Sequence, residues 1–223
     1  MNFKLQHRWS PHRYLLVGGS VAVAAGVFIV IAILWSMRVQ FAPGGRRDYF
    51  PPAGDRRLPD HWADFGANIF AKELESAGEV PWWRGQAGLE AYRFTWDRSF
   101  DPLLIVRVER THRGARVVWH ESEGSADGGA HLLSGEREVA KEEWEAIDGL
   151  FEKARFWQSP ESDLPSGGKD GADWLVEGVR GETYQLWTAW APLRRSASLD
   201  ALARAALALV KVAERMPAAD RVY

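Results

Sequence analysis

In "ADWLVEGVRGETYQLWTAW", one carboxylate sits where the alternation calls for an apolar side chain: Glu177, between Leu175 and Val179. If Gly181 and Glu182 form a two-residue turn, Arg180 pairs with Thr183 and Glu177 falls opposite Leu186. Its face then carries Leu175, Val179, Tyr184 and Leu186, and the other face, with Trp174, Val176, Trp187 and Ala189, is just as apolar. Such a hairpin belongs inside a sheet covered on both sides. A carboxylate there needs a partner, because burial alone drives its pKa toward neutrality. Two chemistries follow. One is a structural Arg–Glu pair, with candidate partners at Arg93, Arg98 and Arg107. The other is a ligand-binding or proton-transfer group, in which Glu177 and an Asp such as Asp170 act as an acid–base pair in hydrolysis.

Twelve tryptophans accompany these charges, several beside Arg, as in "PWWRG", "WDR" and "WTAWAPLRR". A cation on an aromatic face contributes about 0.5 to 2 kcal/mol, and Trp with Arg also lines contact surfaces for partners. Most of the tryptophans fall at core-period positions; Trp82, Trp83 and Trp190 are the surface candidates. The binding candidates are therefore Glu177, Arg98, Arg107, Asp170, Trp190, Trp82 and Trp83.

Other chemistries find no pattern. There is no cysteine, hence no disulfide, thiol nucleophile or thiolate metal site. His112, His120 and His131 share no helical face and no H-E-x-x-H occurs. Asp163 and "DGADW" lack calcium-loop spacing, for which turn chemistry is the simpler reading. No G-x-S-x-G elbow or P-loop is present. No catalytic residue, metal or cofactor is assigned, and a net charge of -2 gives no cationic field for nucleic acid.

The elements that position these groups follow from periodicity. In "EAYRFTWDRSF", Tyr92, Phe94 and Trp96 alternate with Arg93, Thr95 and Asp97, the period of a strand. "LLIVRVER" and "ARVVWHE" follow across "THRGA", giving a three-stranded antiparallel meander. "EGSADGGAHLLSG" reads as a loop and Glu136 to Val139 as a short edge strand. "KEEWEAIDGLFEKARFW" is a helix with Trp144, Ile147, Leu150, Phe151 and Ala154 on one stripe. "SASLDALARAALALVKVAERM" is another, with Ser198 as its cap. Upstream, Asp60 caps a short helix that carries Trp62, Phe65, Ile69 and Leu74 and stops at Gly78.

Leu15 to Trp35 is a run of 21 uncharged residues, the length of a membrane-spanning helix, bracketed by Tyr14 and Trp35. No signal-peptidase pattern follows, so it reads as an uncleaved signal anchor in an inner membrane, with the N-terminus cytoplasmic and the rest periplasmic. Gly18, Ala22 and Gly26 recur every fourth residue, a stripe that would let two such helices pack as a homodimer. The chain divides into a basic tail (1–14), the span (15–35), a Pro/Gly/Arg linker (36–59), an edge helix with its connection (60–88) and a domain (89–216). The fold class expected is α+β: a small antiparallel sheet, made of a three-stranded meander and a hairpin, with helices packed on one face, preceded by one transmembrane helix.

"YRFTWDRSF", "EEWEAIDGLFEKARFW" and "DGADWLVEGVRGETYQLWTAWAP", together covering Tyr92 to Pro192, resemble an uncharacterised family of bacterial membrane-anchored proteins. The resemblance implies no activity. It implies that Arg98, Asp170, Trp174, Glu177, Tyr184 and Trp190 occupy the family's motif positions. The function expected is a binding or interaction module for a protein or cell-envelope component; the alternatives are an envelope hydrolase using a Glu/Asp pair and a structural homodimer.

Overall fold

The computed structural model describes residues 49–52, 55, 66–99, 101–123, 131–158, 171–192 and 196–215. All lie in one compact unit, residues 45–223. Six strands form a single antiparallel sheet: β1 (Glu90–Arg98), β2 (Leu104–Thr111), β3 (Gly114–Glu123), β4 (His131–Val139), β5 (Ala172–Arg180) and β6 (Thr183–Trp190), in the order β4-β3-β2-β1-β5-β6. The helices are α1 (Gly66–Ser76), α2 (Lys141–Lys153) and α3 (Ala197–Val212), with a 3-10 turn at Phe156–Gln158.

The sheet is larger than the sequence suggested. "HLLSG", expected in a loop, is the first half of β4, which pairs with β3 from Glu123↔His131 to Ala115↔Val139. An edge strand has one neighbour and exposed side chains, so it tolerates the polar, Gly-containing composition that resembles a loop. The hairpin falls as expected, with Arg180 opposite Thr183 and Glu177 opposite Leu186. The meander and hairpin join through β1 and β5, which pair along nine residues from Glu90↔Arg180 to Arg98↔Ala172. Both are interior strands, which is why β5 is apolar on both faces.

The expectation of helices on one face is also corrected, because the two faces are covered by different elements. On the first, Tyr92, Phe94, Trp96, Val106, Trp174 and Trp187 pack against α2 and α3 through Trp144, Phe151, Leu202 and Leu209. Tyr92 stacks on Phe151 with centroids 4.0 Å apart. Its hydroxyl donates to Asp148 at 2.6 Å and accepts from Arg180 at 3.2 Å, tying α2 to the sheet. On the second face, Phe70, Ala71 and Leu74 of α1 and Ala77 just past its end pack with Tyr49, Phe50 and Trp82 over Ile105, Leu175, Val179 and Leu186. Tyr49 and Phe50, which the sequence places in the linker, are buried there. Each fully buried side chain of this size contributes roughly 1.5 to 3 kcal/mol.

Helix α2 starts without a Ser or Thr cap; instead Glu143 reaches back to accept from the Ala140 N–H at 2.9 Å. Helix α3 is capped by Ser196, whose hydroxyl accepts from the Leu199 N–H at 3.2 Å, not by Ser198, which lies inside the first turn. No helix among the described residues is long and apolar enough to cross a membrane. The residues of the expected transmembrane helix, 15–35, with Gly18, Ala22 and Gly26, lie outside the described residues, as do Asp60, Trp62 and Phe65.

Candidate functional site

The second face of the sheet carries two polar regions that differ in kind. Side chains alternate along β1, so Ala91, Arg93, Thr95 and Asp97 share this face. Register adds Glu177, Leu175 and Asp173 from β5, then Leu186, Thr188 and Trp190 from β6.

The first region is closed. Arg93 is fully buried, directly opposite Glu177. Its Nε donates to Glu177 Oε2 at 2.8 Å and its Nη2 lies 2.7 Å from the same oxygen. Its Nη1 donates to Glu79 Oε2 at 2.9 Å and to the Val80 carbonyl at 3.1 Å. The Tyr184 hydroxyl donates to Glu177 Oε1 at 2.9 Å, and the guanidinium stacks over Trp82, 4.2 Å from its centroid. Arg107 donates to Glu79 Oε1 at 3.1 Å and to Glu109, which also accepts from Arg116.

Electrostatics in this region follow from burial and pairing. Burial pushes the Glu177 carboxyl up, against the pull of Arg93 and Tyr184. Glu79 is held down to about 2: burial opposes this, but His120, Arg93 and Arg107 together outweigh it. Tyr184 is pushed well above its usual range by burial and by the carboxylate beside it. Three carboxylates and three guanidiniums satisfy one another, and no substrate can reach Glu177, which is 0% exposed. Glu177 is thus the structural half of a buried pair, and the Glu177–Asp170 acid–base arrangement has no access to solvent at Glu177; Asp170 lies outside the described residues.

The second region is open. Asp97 and Asp173 face each other at the end of the β1–β5 ladder, each half-buried. Neither has a hydrogen bond or ion pair among the described residues. Burial raises both carboxyls, and Asp173, which also feels the charge of Asp97, reaches about 6. Trp190 is the register partner of Asp173 on the other side. Its indole lies over Gly171, where a Cβ would come within 2.4 Å of the ring; glycine is what permits this approach. The row immediately inward holds Thr95 and Thr188, 0% and 4% exposed, and neither hydroxyl has a hydrogen-bond partner.

The remaining sequence candidates are dispersed. Arg98, an odd number of residues from Arg93, points to the other face, with its guanidinium 4.8 Å from the Trp96 ring and Nη2 donating to the Pro102 carbonyl at 2.6 Å. Arg107 serves Glu79 and Glu109, not Glu177. Trp82 is not a surface residue but the buried platform under Arg93, while Trp83 is partly buried beneath Arg84 at 4.7 Å. Of the candidates among the described residues, only Trp190 belongs to the open region.

Sequence reasoning missed Glu79 and both aspartates. Glu79 follows the helix-stopping Gly78, where a charged residue is ordinary loop composition. Asp97 and Asp173 each end a strand, where Asp is ordinary turn chemistry; only the β1–β5 register makes them a pair. A separate open cleft of about 710 Å³ at the β2–β3 turn is lined by Glu109, Thr111, His112, Arg113, Arg116 and Glu138, and Arg116 is held by Glu109 at 2.5 Å. Among the described residues no three His, Cys, Asp or Glu side chains are grouped to hold a metal. The chain matches no family model and no curated protein.

Proposed function

We propose that this domain is a binding module for a protein or cell-envelope component, and that its contact region is the end of the sheet formed by Asp97, Asp173 and Trp190. One observation carries this reading: two half-buried carboxylates face each other there without a partner among the described residues, while every carboxylate of the neighbouring cluster is paired. Opposed like charges destabilise a fold. A cost left standing at one place, next to an aromatic side chain, is the pattern of a site kept for something outside the chain.

The test is photocrosslinking of the full chain in its native host. A photoreactive residue replacing Trp190 gives a discrete adduct, and one replacing Leu132, exposed on the far edge strand, does not. Loss of the adduct on Asp97→Asn plus Asp173→Asn supports the reading. The same adducts from both positions, or none from Trp190, contradict it.

A second reading rests on the same pair. Two facing carboxyls that can share one proton are an arrangement used for acid–base work, and Asp97 with Asp173 has the access that Glu177 lacks. A hydrolase of this kind would lose all turnover with Asp173→Asn, whereas a binding module has no turnover to lose.

A further inference from the structure

We infer that the group taken by the Asp97–Asp173–Trp190 end is an organic cation, an ammonium or guanidinium carried by the partner. This rests on the binding reading above and names the chemistry of its ligand.

Charge comes first. Two carboxylates held opposite one another on adjacent strands form a site of excess negative potential. Among the described residues the cations nearest in sequence and register are engaged elsewhere: Arg98 lies on the other face and donates to the Pro102 carbonyl, Arg93 is held by Glu177 and Glu79, and Arg107 by Glu79 and Glu109. One positive group between Asp97 and Asp173 would accept from neither and donate to both, which is what an ammonium with three N–H groups or a forked guanidinium can do.

The walls narrow the class. Trp190, the register partner of Asp173 with its indole over Gly171, puts an aromatic ring at this end, the kind of group that attracts organic cations. The hydroxyls of Thr95 and Thr188, in the adjoining row on the same face, are buried without hydrogen-bond partners, an observation independent of the acidic pair that leaves polar atoms beside it unsatisfied. A divalent metal would need more ligands than two carboxylates, and no third acidic or His ligand is grouped with them among the described residues. An organic cation uses the aromatic ring as well as the charge.

Titration supplies a dependence to look for. Burial raises both carboxyls, and the charge of Asp97 across the ladder raises Asp173 further. With Asp173 titrating at about 6, a cation must displace its proton, so affinity should fall roughly tenfold between pH 7 and pH 5.

The experiment uses the full chain with lysine amide and arginine amide as probes, norleucine amide as the uncharged control and magnesium chloride as the metal control, followed by the Asp side-chain carboxyl 13C signals. Saturable shifts of the Asp97 and Asp173 signals with either cationic amide are expected. They should be weaker at pH 5, at least tenfold weaker in Asp173→Asn, reduced in Trp190→Leu and absent with norleucine amide. Lysine amide against arginine amide separates ammonium from guanidinium sources. Equal response to norleucine amide, a response only to magnesium, or shifts unchanged in Asp97→Asn and Asp173→Asn would overturn the inference. If the cations fail while the Trp190 crosslink persists, the ligand class falls and the binding reading stands; if both fail, both fall.

Discussion

Arg93–Glu177 and Asp97–Asp173 are both directly opposed pairs on the same two strands and the same face, only four residues apart along β1. The first is sealed beneath α1 and Trp82, and each of its charges has a counter-charge. The second is half-exposed, of one sign, and unpaired among the described residues. The difference teaches that an unusual charge in an apolar strand is not by itself a functional signal. Glu177 looks anomalous in the sequence and is architecture; Asp97 and Asp173 look like strand ends and form the region that is incomplete.

The largest effects are expected at the buried pair. Glu177→Leu leaves Arg93 with Glu79 as its acidic partner among the described residues, and removing one member of a buried pair costs about 3 to 5 kcal/mol, visible in denaturant unfolding. An unchanged midpoint would show that Arg93 is not held as described. Tyr184→Phe removes one hydrogen bond to that carboxylate and should cost about 1.5 to 3 kcal/mol by the same measurement. Gly171→Ala drives a methyl into the Trp190 indole and should cost about 1 to 3 kcal/mol, with a change in Trp190 contacts that Gly149→Ala, in open space, does not produce.

The pH dependence separates the regions by sign. Glu79 is depressed from 4.5 to about 2, so the stability it contributes is complete above 4.5 and is lost as pH falls toward 2; Glu79→Gln should remove that acid limb. Asp173 is raised from 3.8 to about 6. The folded state then holds a proton the unfolded chain releases, and stability falls as pH rises from about 4 to about 6. Asp173→Asn should flatten this shallower slope without destabilising the protein at neutral pH. A steeper fall in the variant would show that the ionised carboxylate has a partner after all.

Local pattern made much of the fold legible. The Gly181–Glu182 turn fixed the β5–β6 register and hence which residues flank Glu177. The stripe of Trp144, Ile147 and Phe151 gave α2 and its buried face. What local pattern does not carry is pairing across distance: Arg93 and Glu177 are 84 residues apart, so Arg93, Arg98 and Arg107 were equivalent candidates until register chose among them. Parity along β1 would have removed Arg98 once Arg93 was assigned a face. Strand β4 hid because an edge needs little hydrophobicity, and Glu79 because its burial depends on α1 returning over the second face.

The most direct test is a 13C titration of the side-chain carboxyls in the full chain. The account predicts Asp173 with a midpoint near 6, Asp97 above the ordinary range, and Glu79 ionised down to about pH 2. Asp97 and Asp173 both titrating at the ordinary value near 4, with Glu79 beside them, would contradict it.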